Sequence, residues 1–199
     1  MRIETMTTAV LLAAGAGRRL GRGPKALLPF RGTTLVEYLA GVLRAGGCAD
    51  VVVLLGSEAQ RVGADTQLTS YRILENPDWD EGMSTSFRLG VGAAPVGNNV
   101  LVALVDQPGL TTGMVARLLD AHRTGRITAA GYGRAGVLRR GHPVLLDSCL
   151  ARQAAALATG DSGARAFLRA NPGLVDLIDC SDLSDGADVD TPAALHLLR

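Results

Sequence analysis

The chain has 199 residues, 47% of them apolar, 20% charged and 4% aromatic, enough Val, Leu and Ala to bury one full core without many rings. Twenty basic residues stand against 19 acidic ones, for a net charge of +1, and that balance argues against nucleic acid as a partner. Cys48, Cys149 and Cys180 form no CxxC pair and no zinc pattern, so a cytoplasmic, reducing location is expected rather than a disulfide scaffold. The apolar run Ala9–Ala14 is too short for a signal or a membrane span, so no membrane partner is expected either.

Residues 1–7 read as a loosely held N-terminal extension to a single domain spanning 1–199. Beyond them, Ala9–Ala14, Val51–Leu55, Val100–Val105, Pro143–Leu146 and Leu174–Ile178 read as buried strands. Their apolar runs are continuous, as for parallel strands covered on both faces. Between them lie helical patterns. Leu35, Leu39, Val42 and Leu43 share one face, with a Thr34/Glu37 capping box before them and Gly46–Gly47 after. Val115, Leu118, Leu119 and His122 share another, capped by Thr111 or Thr112, and Thr191–Pro192 opens a last helix. The Gly- and Arg-rich stretch Gly131–Gly141 reads as a loop. Alternating strands and helices predict an α/β fold with a mostly parallel sheet, whose ligands bind at the strand ends.

The first strand runs into Leu12-Ala13-Ala14-Gly15-Ala16-Gly17, then Arg18-Arg19-Leu20-Gly21-Arg22-Gly23-Pro24-Lys25. Glycines there let backbone N–H groups approach a phosphate, and Arg18, Arg19, Arg22 and Lys25 supply charge. Two phosphate loops are excluded. A dinucleotide fingerprint needs GxGxxG, but Gly21 comes one residue too late; a Walker loop needs GK[ST], but Lys25 follows Pro24 and precedes Ala26. A nicotinamide dehydrogenase is disfavoured by the same spacing and by the lack of an acidic strand end about 20 residues on.

Leu12–Lys25 followed by Ala26-Leu27-Leu28-Pro29-Phe30 resembles the signature of nucleotidyltransferases with a GT-A-like fold. The resemblance implies a Rossmann-like three-layer sandwich of the nucleotide-diphospho-sugar transferase type. It also implies a loop that wraps a nucleoside triphosphate, with one lysine and one arginine neutralising it. The stretch before Lys25 is one residue longer than the common form, which leaves Arg18 and Arg19 both open.

Such a transfer needs a metal at the α-phosphate, and Mg²⁺ takes one or two carboxylates plus phosphate oxygens. Asp106 follows the run Val100–Val105 and precedes Gln107-Pro108, which places it at the ligand-binding edge. Asp190, in Asp188-Val189-Asp190-Thr191-Pro192, reads on its own as helix capping; the resemblance makes it the second metal ligand, with Asp188 a weaker candidate.

Other segments narrow the branch. Gly82-Met83-Ser84-Thr85-Ser86, after Asn76, resembles the nucleotide-reading loop of molybdenum cofactor cytidylyltransferases. Asp106-Gln107-Pro108 resembles their metal motif, Arg140-Gly141-His142-Pro143 their substrate-side strand, and Gly160-Asp161-Ser162-Gly163-Ala164-Arg165 their later basic turn. The implied catalytic set is Lys25, Arg18, Arg19 and Asp106. The implied nucleotide contacts are Leu12 to Gly17, Lys25, Asn76, Ser84 and Asp106. The implied acceptor contacts are Gly82, Met83, Ser84, Gln107, His142 and Arg165. His142 is not needed as a base, because a phosphate monoester is already ionised near pH 7. Trp79 and Cys48 read as packing.

The implied reaction is CMP transfer from CTP to the terminal phosphate of molybdopterin or its molybdenum form, with transient contact to a molybdoenzyme. Guanylyl or other nucleotidyl transfer to a different small phosphorylated acceptor stays open, as does a non-catalytic molybdenum cofactor chaperone on the same fold.

Overall fold

A computed structural model describes residues 5–134 and 137–199, the side chain of Arg134 excepted. In chain order the main elements are β1 (Thr7–Leu12), β2 (Pro29–Phe30), β3 (Thr33–Thr34), α1 (Leu35–Ala45), β4 (Asp50–Leu55), α2 (Ala59–Ala64) and β5 (Arg72–Glu75). Then come α3 (Met83–Ala93), β6 (Asn99–Leu104), α4 (Thr112–Ala121), β7 (Ile127–Arg134), β8 (Val137–Leu146), α5 (Ser148–Leu157), α6 (Arg165–Ala170) and β9 (Val175–Asp179). Seven strands form one sheet in the order β5-β4-β1-β6-β8-β7-β9, with β2 and β3 as a small separate ribbon. β5, β4, β1 and β6 are parallel, β8 runs antiparallel to both neighbours, and β9 is parallel to β7.

Strand periodicity explains why the apolar runs are continuous. Ala9, Leu11, Val51, Val53, Leu101 and Ala103 point to one face, against α1 and α4. Val10, Val52, Leu54, Val100 and Val102 point to the other, against α3, α5 and α6. Successive side chains alternate faces in a strand, so a strand covered by helices on both sides carries a continuous apolar run, here after the buried polar starts Thr7, Thr8 and Asn99. Each fully buried Leu or Val contributes about 1.5–3 kcal/mol.

The capping box forms as expected: the Thr34 amide donates to Glu37 Oε2 at 2.9 Å, and the Thr34 side chain is engaged with the same helix start. Thr111 rather than Thr112 caps α4, accepting from the Met114 amide at 3.2 Å.

Several expectations need correction. Thr7 is already the first residue of β1, paired with Asn99; of the expected extension, residues 1–4 lie outside the described ones. The stretch Gly131–Gly141 is not a loop where it is described, but the paired ends of β7 and β8. The strand expected at Pro143–Leu146 is the antiparallel end of the longer β8. The last helix is a 3₁₀ segment, Pro192–Leu198, and Thr191 gives it no side-chain cap. Among the described residues no helix is long and apolar enough to cross a membrane.

Candidate active site

The carboxyl ends of β1 and β6 meet at one edge of the sheet. The loop that leaves β1 starts rigidly: the Ala13 amide donates to the Leu54 carbonyl at 2.9 Å, and the Ser57 amide to the Ala14 carbonyl at 2.9 Å. Gly15 has open space where a Cβ would point, whereas Gly17 has φ +62° and a Cβ there would sit 2.2 Å from the Gly23 carbonyl oxygen. Only glycine fits that close return of the loop on itself. The return delivers Lys25 at the start of a 3₁₀ turn whose Ala26 is buried.

Lys25 is the centre of the site. Its Nζ donates to Asp106 Oδ2 at 2.9 Å and also to Asp190 Oδ1. The three side chains are 13%, 23% and 32% exposed. Burial works against the Lys25 charge, but the two carboxylates more than offset it and raise its pKa. The hydrogen bond from Lys25, against the cost of burial, holds Asp190 below the usual carboxylate range, aided by Lys25 and Arg19 charge.

Two features bring the carboxylates together. The Val189 amide donates to the Asp106 carbonyl at 2.8 Å, and Val189 is wholly buried. Its neighbours flank it at two cavities, Asp190 on one and Asp188 on the other. Asp190 reaches Lys25, while Asp188 accepts from Gln107 Nε2 at 2.7 Å. Burial, then the nearby Asp106 and Asp190 charges, raise the Asp188 pKa despite that bond.

The two candidate arginines part ways. Arg19 Nη2 lies 3.3 Å from Asp190 Oδ2. The Arg18 guanidinium stacks over Trp79 at 5.9 Å from the ring centre. Trp79 is therefore more than packing: it lines the cleft, in space that Gly56 leaves free, since a Cβ at Gly56 would meet the Trp79 Cβ at 2.5 Å.

Two adjoining cavities open here. One, of about 620 Å³, is lined by Ala14 to Arg19, Lys25, Trp79, Ser86, Asp106 and Asp190 among others. The second, of about 880 Å³, has an apolar floor that includes Phe87, Val102, Val144 and Leu146, and a rim with Arg139, Arg140 and Arg165. None of these three arginines is in an ion pair among the described residues. Loss of water and the charges of Arg165 and Arg169 lower the Arg140 pKa. Leu12, Met83, Leu104 and Arg165 line both cavities, so Arg165 is the cation at their shared mouth.

Most of the sequence-derived set converges here: Leu12, Ala14 to Arg19, Lys25, Gly82, Met83, Asp106, Arg165 and Asp190 around the first cavity, Gln107 and His142 at the second. Three do not. Ala13 is buried and lines neither cavity. Ser84, 2% exposed, lies outside both, and Ser86 lines the first instead. Asn76 is a brace: its Nδ2 donates to Thr85 Oγ1 at 2.8 Å and Ser86 Oγ at 2.9 Å, and its Oδ1 accepts from the Asp78 amide at 3.1 Å. Sequence reasoning missed Arg139, Tyr132 and Ser181 on the second cavity. The three arginine positions in a Gly-rich stretch were the available signal. His142 lines the second cavity, and burial pushes its imidazole down to about 4, so it is neutral near pH 7.

The donor set fits a small divalent cation. Two carboxylates converge, and Asp106 Oδ1 is buried with no hydrogen-bond partner among the described residues, an acceptor in want of a cation. No group of three or more His, Cys, Asp or Glu forms a cage among those residues.

Comparison with known proteins agrees with this architecture. A nucleotidyl transferase from Methanothermobacter thermautotroptrophicus superposes with a TM-score of 0.84, covering 97% of this chain and 96% of that one at 24% identity. A Mycobacterium tuberculosis protein crystallised as a manganese complex superposes at 0.76, covering 98% of each chain at 26% identity. The nicotine blue oxidoreductase of Paenarthrobacter nicotinovorans is 56% identical over 194 residues, 96% of this chain and 95% of that protein. With the MobA-like NTP transferase domain matched across residues 9–175, on a cleft where a glycine loop, a lysine and two carboxylates meet, this chain belongs to the MobA-like NTP transferase family.

Proposed function

We propose that the protein transfers CMP from CTP to the terminal phosphate of a molybdopterin-type acceptor and releases pyrophosphate. The observation that carries the transferase reading is the Lys25–Asp106–Asp190 cluster at the base of the glycine-loop cavity, beside a second, arginine-rimmed cavity. The choice of CTP and of the pterin rests on the Gly82–Ser86 and Gly160–Arg165 motifs and on the second cavity's apolar floor, which suits a flat ring.

In this reading the triphosphate lies along Ala14–Gly17, where backbone N–H groups and Lys25 neutralise it, with Trp79 and Arg18 at the cavity wall. The acceptor's ring rests on the apolar floor, and Arg165 holds its phosphate at the shared mouth. An oxygen of that phosphate attacks the α-phosphorus in line. The new P–O bond joins acceptor to CMP as the bond to the bridging oxygen breaks, and pyrophosphate carries off that electron pair. No protein base is required, because the attacking phosphate is already ionised near pH 7. Held by Asp106 and Asp190, Mg²⁺ would supply Lewis-acid stabilisation of charge on the transferring group. The protein's share is positioning and fixed charge.

A second reading is favoured by one observation, the 56% identity to nicotine blue oxidoreductase along nearly the whole chain. Here the same two cavities would bind a reduced nicotinamide nucleotide and a conjugated dye, and hydride would pass from one to the other. The glycine spacing counts against it, and a redox step makes no use of two carboxylates converging on Lys25.

One assay set decides. Purified protein with Mg²⁺, molybdopterin and each of CTP, GTP, ATP and UTP is followed for pyrophosphate; protein with NADH or NADPH and nicotine blue is followed for loss of nicotinamide absorbance. Pyrophosphate with CTP alone supports the proposal. Nicotinamide oxidation without pyrophosphate overturns it in favour of the second reading. Pterin binding without either product points to a chaperone.

A further inference from the structure

The position of Lys25 bears on when the metal can bind. Its ammonium already lies between the two carboxylates that would hold a divalent ion, bonded to both. A second cation, Arg19, leans on Asp190 from the outer side. An ammonium and a divalent ion cannot share that space without strong like-charge repulsion. The carboxylates are nonetheless not saturated: Asp106 Oδ1 is buried and unpartnered among the described residues. The cluster is thus held by a monovalent stand-in that leaves one acceptor oxygen open.

Lys25 has somewhere else to go, but only when the triphosphate is present. Its backbone is pinned by the 3₁₀ turn over buried Ala26 and by the close return of Gly17 on Gly23. Its side chain is 13% exposed, so bulk solvent is a poor alternative partner for the ammonium. The glycine loop lines the same cavity as Lys25, so phosphate oxygens bound along that loop would be within its sweep.

We infer that Lys25 is an internal counter-ion that keeps Asp106 and Asp190 from taking a divalent metal until a nucleoside triphosphate draws it away. Metal and nucleotide binding are then coupled through one side chain. By linkage, each raises the affinity of the other by the same factor. This rests on reading the cleft as a triphosphate–metal site. Its consequence is that the enzyme would not hold a metal idle, and Lys25 would act first as a gate and then as a phosphate ligand.

The test needs no turnover. Chelator-stripped wild type, Lys25→Met, Lys25→Gln, Lys25→Arg and Lys25→Met/Asp106→Asn are titrated with Mn²⁺, and free Mn²⁺ is read by electron paramagnetic resonance. Wild type and Lys25→Arg are expected to bind weakly. Both neutral single variants should bind about tenfold more tightly, a typical size for coupling between linked sites, and the double variant should lose that gain. Wild type with a CTP analogue that cannot be cleaved should bind Mn²⁺ more tightly than the analogue does alone. Circular dichroism melts confirm that each variant is folded, and the two neutral variants back one another. The inference is overturned if neither neutral variant gains affinity, if the gain survives Asp106→Asn, or if wild type without nucleotide already binds as tightly as they do. Failure of the transferase reading looks different: no triphosphate yields pyrophosphate, while the Mn²⁺ gain on neutralising Lys25 stands.

Discussion

Replacing Asp106 by Asn separates what this carboxylate does for the fold from what it does for the chemistry. At 2.9 Å, the gross attraction between Asp106 and Lys25 is about 6 kcal/mol for an effective dielectric of 20. Little of that is net stability. Asp190 still pairs Lys25 after the change, and removing one charge relieves the crowding that raises Asp188. The backbone bond from Val189 to the Asp106 carbonyl, 2.8 Å, is untouched. The expected stability loss is therefore about 1 kcal/mol or less, or a Tm shift of about 2–4 °C in a domain of this size. Activity should respond very differently, because on the proposed reading one of the two carboxylates that would hold the metal is neutralised. Loss of about 3–5 kcal/mol of transition-state stabilisation lowers kcat about 10²- to 10⁴-fold. Pyrophosphate release at saturating Mg²⁺, with a melt on the same sample, reads both numbers. Turnover above about one tenth of wild type would refute the assignment; so would a collapse of Tm that accounts for the lost activity.

Arg165→Ala should raise KM for the acceptor about tenfold, the loss of one charge-assisted contact, with a much smaller effect on KM for the triphosphate; equal effects on both would displace Arg165 from the acceptor's phosphate. Gly90→Ala should destabilise by about 1–3 kcal/mol, since a Cβ would lie 2.4 Å from Val10 Cγ1; an unchanged Tm would show that β1 yields there. Glu37 is raised by burial but lowered more by hydrogen bonds from Thr34, the Gln67 amide and Thr33, to about 2 from 4.5. Its contribution is thus fully present above about pH 4.5 and lost as pH falls through about 2, so Glu37→Gln should cost about 1–2 kcal/mol at pH 7 once solvent screening is allowed for, and nothing well below pH 2. Urea midpoints across that window check it, and a cost at pH 2 as large as at pH 7 would sink the assignment.

The structure also explains which parts of the chain were legible in advance. β1, β4 and β6 announced themselves because burial on both faces leaves a continuous apolar run after their polar first residues. β5 did not: Arg72, Ile73 and Glu75 are exposed on an edge strand, so it carries neither a continuous apolar run nor a clean alternation. β7 and the first half of β8 were hidden by glycine. A Cβ at Gly133 would sit 1.9 Å from the Val137 carbonyl oxygen, and Cβ atoms at Gly141 and Gly186 would meet the Tyr132 ring at 2.6 and 2.5 Å. Gly133 is thus a close backbone crossing, and Gly141 and Gly186 are packing sites around a tyrosine whose hydroxyl is bonded to the His142 carbonyl. Sequence shows the glycine and not the neighbour that requires it.

The site divides along the same line. The sequence by itself determined the glycine loop, Lys25 and the two acidic segments, because chemistry of that kind demands particular residue types next to particular strand ends. It also excluded the dinucleotide and Walker loops, since spacing along the chain is covalent. Only the tertiary structure decided which groups meet. Asp106 and Asp190 are far apart in the chain, and the buried Val189 and its bond to the Asp106 carbonyl bring them onto one ammonium. Only packing showed that Asn76 is a brace, that Ser86 rather than Ser84 faces the cleft, and that Arg19 rather than Arg18 reaches Asp190. Direction and partner depend on contacts between distant segments, and no local pattern of residues encodes them.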